Sequence, residues 1–131
     1  MAVIRIKNLK LRSVIGIHDW ERENKQDVII NIKLEFDSSR AAESDDIADT
    51  VDYKAIKMRI IELVEGSTCN LLERLADQIL AICLSDAQVE QATVRVDKPH
   101  ALRFADSVSI EVSGGRRLSP SSRDQSQSNQ N

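Results

Sequence analysis

The stretch KQDVIINIKLEF, residues 25–36, decides the fold class, because Val28, Ile30, Ile32, Leu34 and Phe36 alternate strictly while Asn31, Lys33 and Glu35 fall on the opposite parity. A period of two with one apolar face is the pattern of a strand packed on a core along one side only. Upstream, residues 3–17 repeat the theme with Ile4 and Ile6, then Leu9 and Leu11, then Ile15 and Ile17. The phase slips near Asn8, which predicts a bulge. Residues 18–26 are polar and read as a loop, so the two runs are expected to pair as an antiparallel hairpin.

Downstream, Asp37 to Asp52 is acidic and built of small residues, with a short helical turn expected around Ser39–Glu43. Asp52 is placed to cap a helix from Tyr53 to about Glu65, with Ile56, Ile60, Leu63 and Val64 as its buried stripe and Gly66 at its C-terminal end. A second helix is expected after Asn70, where Leu72, Leu75, Ala76, Ile79, Leu80 and Cys83 recur at helical spacing. Two further strands follow, Ala92–Lys98 and Ser107–Ser113. The expected fold is therefore α+β, a four-stranded antiparallel sheet with two helices on one face in the order ββααββ. Such a sheet has exposed edges, and pairing of subunits edge to edge into a larger closed sheet is one way to protect them. One domain is expected over residues 1–113. The segment 114–131, rich in Gly, Ser, Gln and Asn, is expected to be a disordered tail.

Composition limits the function. At 131 residues, 41% hydrophobic and 30% charged, the chain suits one globular domain, and 3% aromatics leave the core to Ile, Leu and Val. A formal net charge of −3 argues against nucleic acid as a partner. The basic set Arg5, Lys7, Lys10 and Arg12 reads as the wet side of the first strand. No apolar run has the roughly 20 residues of a membrane span, and no charged-then-apolar leader opens the chain. No membrane partner and a cytoplasmic location are the expectations. Cys69 and Cys83 suit reduced thiols, with Cys83 on an apolar stripe as a small core residue. No metal is expected, since with His18 and His100 as the only histidines there is no zinc-type cluster, and neither a glycine-rich phosphate loop nor a serine elbow is present.

Chemistry is thus left to carboxylates, lysine, tyrosine and backbone groups. Glu73, three residues after Asn70, either completes a capping box or holds a polar heterocycle beside free helix N–H groups. Lys98 ends a strand before Pro99, Tyr53 opens a helix, and Glu21 sits in a charged loop. Each taken singly also has an ordinary structural reading.

Taken together, several stretches resemble the dihydroneopterin aldolase family, with its close relative dihydroneopterin triphosphate 2'-epimerase. They are IRIKNLKLRSVIGIHDWE (4–21), KQDVIINI (25–32), SDDIADTVDY (44–53), VEGSTCNLLERLADQIL (64–80) and DKPHALRFADSVSIEV (97–112). The resemblance covers about residues 3–113. It implies the tunnelling fold, subunits joined into a barrel ring, two tetrameric rings stacked as a homo-octamer, and active sites between neighbouring subunits. It implies that Glu73 anchors the amino-pyrimidine edge of a dihydropterin, that Lys98 in the K-P motif is the general acid/base, and that Tyr53, closing the D-x-x-x-Y element, assists proton transfer. Glu21 corresponds to the loop glutamate near the reacting side chain, and Val51 and Leu72 to backbone contacts with the ring.

The implied reaction needs no cofactor. Deprotonating the 2'-hydroxyl lets the 1'–2' carbon bond break, and the ring's N5=C6 imine takes up the electrons. Release of glycolaldehyde is the aldolase outcome, and recombination on the other face gives the 2'-epimer. The IRIKNLKLR, KQDVIINI and HALRFADSVS segments resemble the epimerase branch, whereas DWE, SDDIADTVDY and VEG resemble bacterial aldolases. Aldolases usually carry glycine after K-P, where His100 stands here. His100 and Arg103 are either triphosphate contacts or ordinary strand-end polarity. The epimerase is the expected activity, the aldolase its alternative, and a non-catalytic pterin-binding protein the third possibility.

Overall fold

The computed structural model describes residues 1–116, and the remainder of the expected tail lies outside them. In chain order the elements are β1 (Ala2–Ile15), α1 (Asp19–Glu23), β2 (Gln26–Phe36), α2 (Ser39–Ser44), a 3-10 turn (Ile47–Asp49), α3 (Tyr53–Glu65), β3 (Thr68–Cys69), α4 (Leu72–Leu84), β4 (Gln91–Pro99) and β5 (Ser107–Gly115). The sheet order is β3-β1-β2-β4-β5, so the fold is α+β on a mixed five-stranded sheet rather than a four-stranded antiparallel one. The added strand is two residues long and runs parallel to the end of β1, pairing Val14 with Thr68 and Ile15 with Cys69. Two residues carry no periodicity, which is why the sequence pattern does not reveal it.

The four long strands pair antiparallel in the expected order, and both long helices pack on the sheet. Val28, Ile30, Ile32, Leu34 and Phe36 are all buried, as are Ala92, Val94 and Val96 beside them on β4. The helices supply Ile56, Ile60 and Val64 from α3, and Leu75, Ala76, Ile79, Leu80 and Cys83 from α4. The bulge falls at Asn8, which takes φ 54° where the β1–β2 register slips between Ile6 and Leu9. Asn31 steadies it by accepting the Asn8 N–H at 2.9 Å.

Helix α3 begins as its cap predicts, with the Asp52 carboxylate accepting from the Ala55 N–H at 3.1 Å. Gly66 does end it, but at φ −93° rather than in the left-handed region, so no positive φ demands glycine there. Strand β5 runs through Gly114 and Gly115, two residues past the expected domain edge, and the Arg116 guanidinium donates to the Val89 and Leu84 carbonyls. No helix among the described residues is long and apolar enough to cross a membrane.

These connections give the molecule two ends. One gathers the close of β1, the start of β2, the close of β4, β3 and the first turn of α4. The other gathers the start of α3 and the close of α4, tied where the Asp52 N–H donates to the Asp86 carboxylate at 3.1 Å.

Candidate active site

Lys98 continues the inward row of β4 after Ala92, Val94 and Val96, so a cation stands at the strand end in line with core side chains. Its partner comes from the segment expected to be a loop. Residues 19–23 instead form α1, because Glu21 reaches back to accept the His18 N–H at 3.3 Å and Arg22 N–H bonds the His18 carbonyl at 3.0 Å. The other oxygen of Glu21 lies 2.5 Å from Lys98 Nζ, with the two side chains 18% and 12% exposed respectively. Lys98 Nζ also makes a longer contact, 3.4 Å, with the Ile15 carbonyl.

Gly16 makes this approach possible. Its φ is +134°, and a Cβ there would lie 2.3 Å from the Glu21 carboxyl, so a side chain at this position collides with the carboxylate. The Gly16 N–H is held by the Cys69 carbonyl at 3.0 Å, which couples β3 to the same turn.

The Lys98 hydrogen bond, outweighing partial desolvation, holds the Glu21 carboxyl below its ordinary value of 4.5. A depressed carboxyl stabilises the fold fully above the unfolded value, and that contribution is lost as pH falls through the folded one. The wild type should therefore melt above Glu21→Gln at neutral pH, and the gap should close as the buffer is taken below about pH 4.5. Thermal melts across that range check it, and a gap independent of pH would deny the pair any role in stability.

Glu73 sits in the first turn of α4 and is exposed. It is not a capping-box residue: the helix starts at Leu72, its N-cap is Leu71, and no side chain caps it. The carboxylate is thus uncommitted beside the first N–H groups of the helix, including that of Leu72. This helix start is joined to α1 where the Arg22 guanidinium donates to the Asn70 side-chain carbonyl. Glu73 and the Lys98–Glu21 pair therefore belong to one end of the molecule.

His100 and Arg103 occupy the exposed turn between β4 and β5, at the same end. His100 takes φ 60°, a left-handed conformation that glycine adopts more readily, and its N–H bonds the Asp106 carbonyl at 3.2 Å. The Arg103 guanidinium lies 5.4 Å from the centroid of the exposed Phe104 ring.

Tyr53 and Val51 are elsewhere. Tyr53 is 49% exposed at the start of α3, and its N–H bonds the carbonyl of the buried Val51 at 3.1 Å. They line a cleft with Ile47, Thr50 and Lys54 at the opposite end from Lys98. Helix α3 has 13 residues, so roughly 20 Å separates its two ends. No tyrosine side chain bridges that distance within one chain.

Among the described residues no group of three or more His, Cys, Asp and Glu gathers as a metal site would require. Both thiols are buried, and burial pushes Cys83 up to about 12, which leaves it a protonated core group. One residue of the site, Gly16, is not singled out by any periodic pattern. The one available signal is a glycine that interrupts the apolar run Ile15-Gly16-Ile17 just before a polar segment.

A family model described as dihydroneopterin aldolase matches residues 4–113. A dihydroneopterin triphosphate 2'-epimerase of Pseudomonas aeruginosa is 47% identical over 116 residues, covering 88% of this chain and 94% of the relative. A dihydroneopterin aldolase of Escherichia coli is 30% identical over 118 residues, covering 90% of this chain and 97% of the relative. The crystal structure of E. coli dihydroneopterin aldolase in complex with neopterin superposes with a TM-score of 0.83 at 30% identity, covering 88% of this chain and all of that one.

Proposed function

The chain belongs to the dihydroneopterin aldolase family, and from that premise we propose that it is a dihydropterin-processing enzyme whose main activity is 2'-epimerisation of dihydroneopterin triphosphate. The greater identity to an epimerase than to an aldolase, 47% against 30%, favours epimerisation over cleavage. The observation that carries the chemistry is the Lys98–Glu21 pair, an amine 2.5 Å from a carboxylate, largely shielded from water, at the end that also bears the uncapped start of α4.

In this reading Glu73 accepts the two adjacent N–H groups of the amino-pyrimidine edge, a bidentate fit for a carboxylate, while the Leu72 backbone and the Val51 backbone border the ring. Lys98 in its neutral amine form removes the proton of the 2'-hydroxyl, directly or through water, and Glu21 holds the resulting ammonium. The 1'–2' bond breaks and its electrons enter the N5=C6 imine of the pterin, which serves as the electron sink. The freed aldehyde turns over, the enamine attacks its other face, and the proton returns to the new alkoxide. Tyr53 assists these transfers. His100 and Arg103 supply positive charge for the triphosphate. The substrate thus provides the electron sink, and the protein positions it and moves protons.

Tyr53 and Val51 enter this site only from a second copy, so the reading includes a homo-oligomer with active sites at its seams. A ring of subunits is the simplest closed arrangement that joins one end of a chain to the other end of the next, and two stacked tetrameric rings would make the octamer. Exposed apolar side chains support such a contact at both ends, Ile17, Trp20, Leu102 and Phe104 at one and Ile47 and Tyr53 at the other.

Incubation with dihydroneopterin and with its triphosphate, followed by chromatography, tests the function. The expected product is the monapterin-type epimer of the triphosphate. Predominant 6-hydroxymethyl-dihydropterin and glycolaldehyde would establish the aldolase instead, and binding without turnover would overturn catalysis. Glu73→Ala should weaken pterin binding roughly 10- to 100-fold, the value of a hydrogen bond to a charged group, without loss of helix content. Titration with a fluorescent pterin measures it, and unchanged affinity would remove Glu73 from ring recognition.

A further inference from the structure

We propose that Gln26 is a positioning residue for Lys98, acting through the Ile15 carbonyl that the two side chains share. The inference rests on the reading of Lys98 as the proton carrier. Gln26 opens β2 opposite Ser13, and its side-chain amide donates to the Ile15 oxygen at 3.1 Å. The same oxygen lies 3.4 Å from Lys98 Nζ. A carbonyl oxygen has two lone pairs, so this one is filled by the two donors together.

The two contacts are unequal in a way that matters. An ammonium has three N–H donors. One is committed to Glu21 at 2.5 Å, one leans weakly on Ile15, and the third is open to a substrate. Because Gln26 already loads the Ile15 oxygen, the lysine contact with it stays long and the amine is held out toward Glu21. The peptide itself cannot swing away, since the neighbouring Gly16 N–H is tied to the Cys69 carbonyl at 3.0 Å. Removing the amide donor leaves a strong, fixed acceptor with a spare lone pair beside the ammonium. Lys98 then settles on Ile15, its bond to Glu21 lengthens, and the amine retreats from the 2'-hydroxyl.

Gln26→Met keeps the length of the side chain and deletes the donor, and Gln26→Ala deletes both. In substrate-free protein with 13C-labelled glutamate, the Glu21 carboxyl signal should titrate at higher pH in both variants than in the wild type, because its bond to Lys98 is weakened. In turnover of dihydroneopterin triphosphate, kcat should fall about tenfold in both while KM stays within about twofold. A merely structural clamp on the end of β1 would lower the melting temperature and leave the Glu21 titration where it was, which overturns the proposal. Unchanged kcat in both variants overturns it as well. The titration arm decides the positioning role even if the wild type turns over no pterin, an outcome that would instead sink the functional reading.

Discussion

Lys98→Ala should lower kcat for dihydroneopterin triphosphate by about 100- to 10,000-fold, the usual contribution of a positioned acid or base, while the protein keeps its fold. Two features make the effect fall on chemistry rather than structure. Lys98 is the last inward residue of its row, so its removal empties space at the edge of the core and not within it. Its one close partner, Glu21, keeps the His18 N–H as a second anchor, so α1 is not released with the amine. The substitution does strand a carboxylate whose proton affinity was held down by the ammonium, and the Glu21 carboxyl should rise toward its ordinary value. The expected result is thus a soluble, folded protein, measurable by circular dichroism and melting, with turnover close to background. Near wild-type turnover from a folded Lys98→Ala protein would take Lys98 out of the mechanism, and the retro-aldol scheme built on it would go too.

The parts of this molecule written in local pattern are legible from its sequence. Strict alternation from Val28 to Phe36 specifies β2 and its inward face, and Val94 and Val96 mark the inward face of β4, whereas Lys98 reads from the sequence as an ordinary strand-end lysine and only the structure puts it in their row. The phase slip near Asn8 becomes a bulge with φ 54° at that residue. What escapes is written in pairs of distant residues. Thr68 and Cys69 form a strand because Val14 and Ile15 lie alongside, and α1 forms because Glu21 caps its own helix while answering Lys98 77 positions away. Asn70 and Glu73 have the spacing of a capping box, yet the helix begins one residue too late for it, and the carboxylate is left uncommitted. Gly16 is required by a collision with a carboxylate from the next element, information absent from its neighbours.

The separation of Tyr53 from Lys98 leads to the second large effect, the recovery of activity by mixing two inactive proteins. In the proposed site each chain contributes Lys98, Glu21 and Glu73 from one end and Tyr53 and Val51 from the other, a helix length of roughly 20 Å away. If the working site forms at a seam, its amine and its phenol always come from different copies. Lys98→Ala assemblies then lack the amine at every seam, and Tyr53→Ala assemblies lack the phenol at every seam, so each should be nearly inactive. Co-refolding the two at equal ratio creates seams in which a Tyr53→Ala chain supplies Lys98 and a Lys98→Ala chain supplies Tyr53. For head-to-tail contacts formed at random, about one seam in four is intact, so about a quarter of wild-type activity should return. A site within one chain gives the opposite result, because every chain in the mixture is damaged and no arrangement repairs it. Activity that stays at the level of the separate variants, in assemblies shown by mass spectrometry to contain both chains, would therefore overturn the seam arrangement, whereas near wild-type turnover by Tyr53→Ala alone would remove Tyr53 from the proton path.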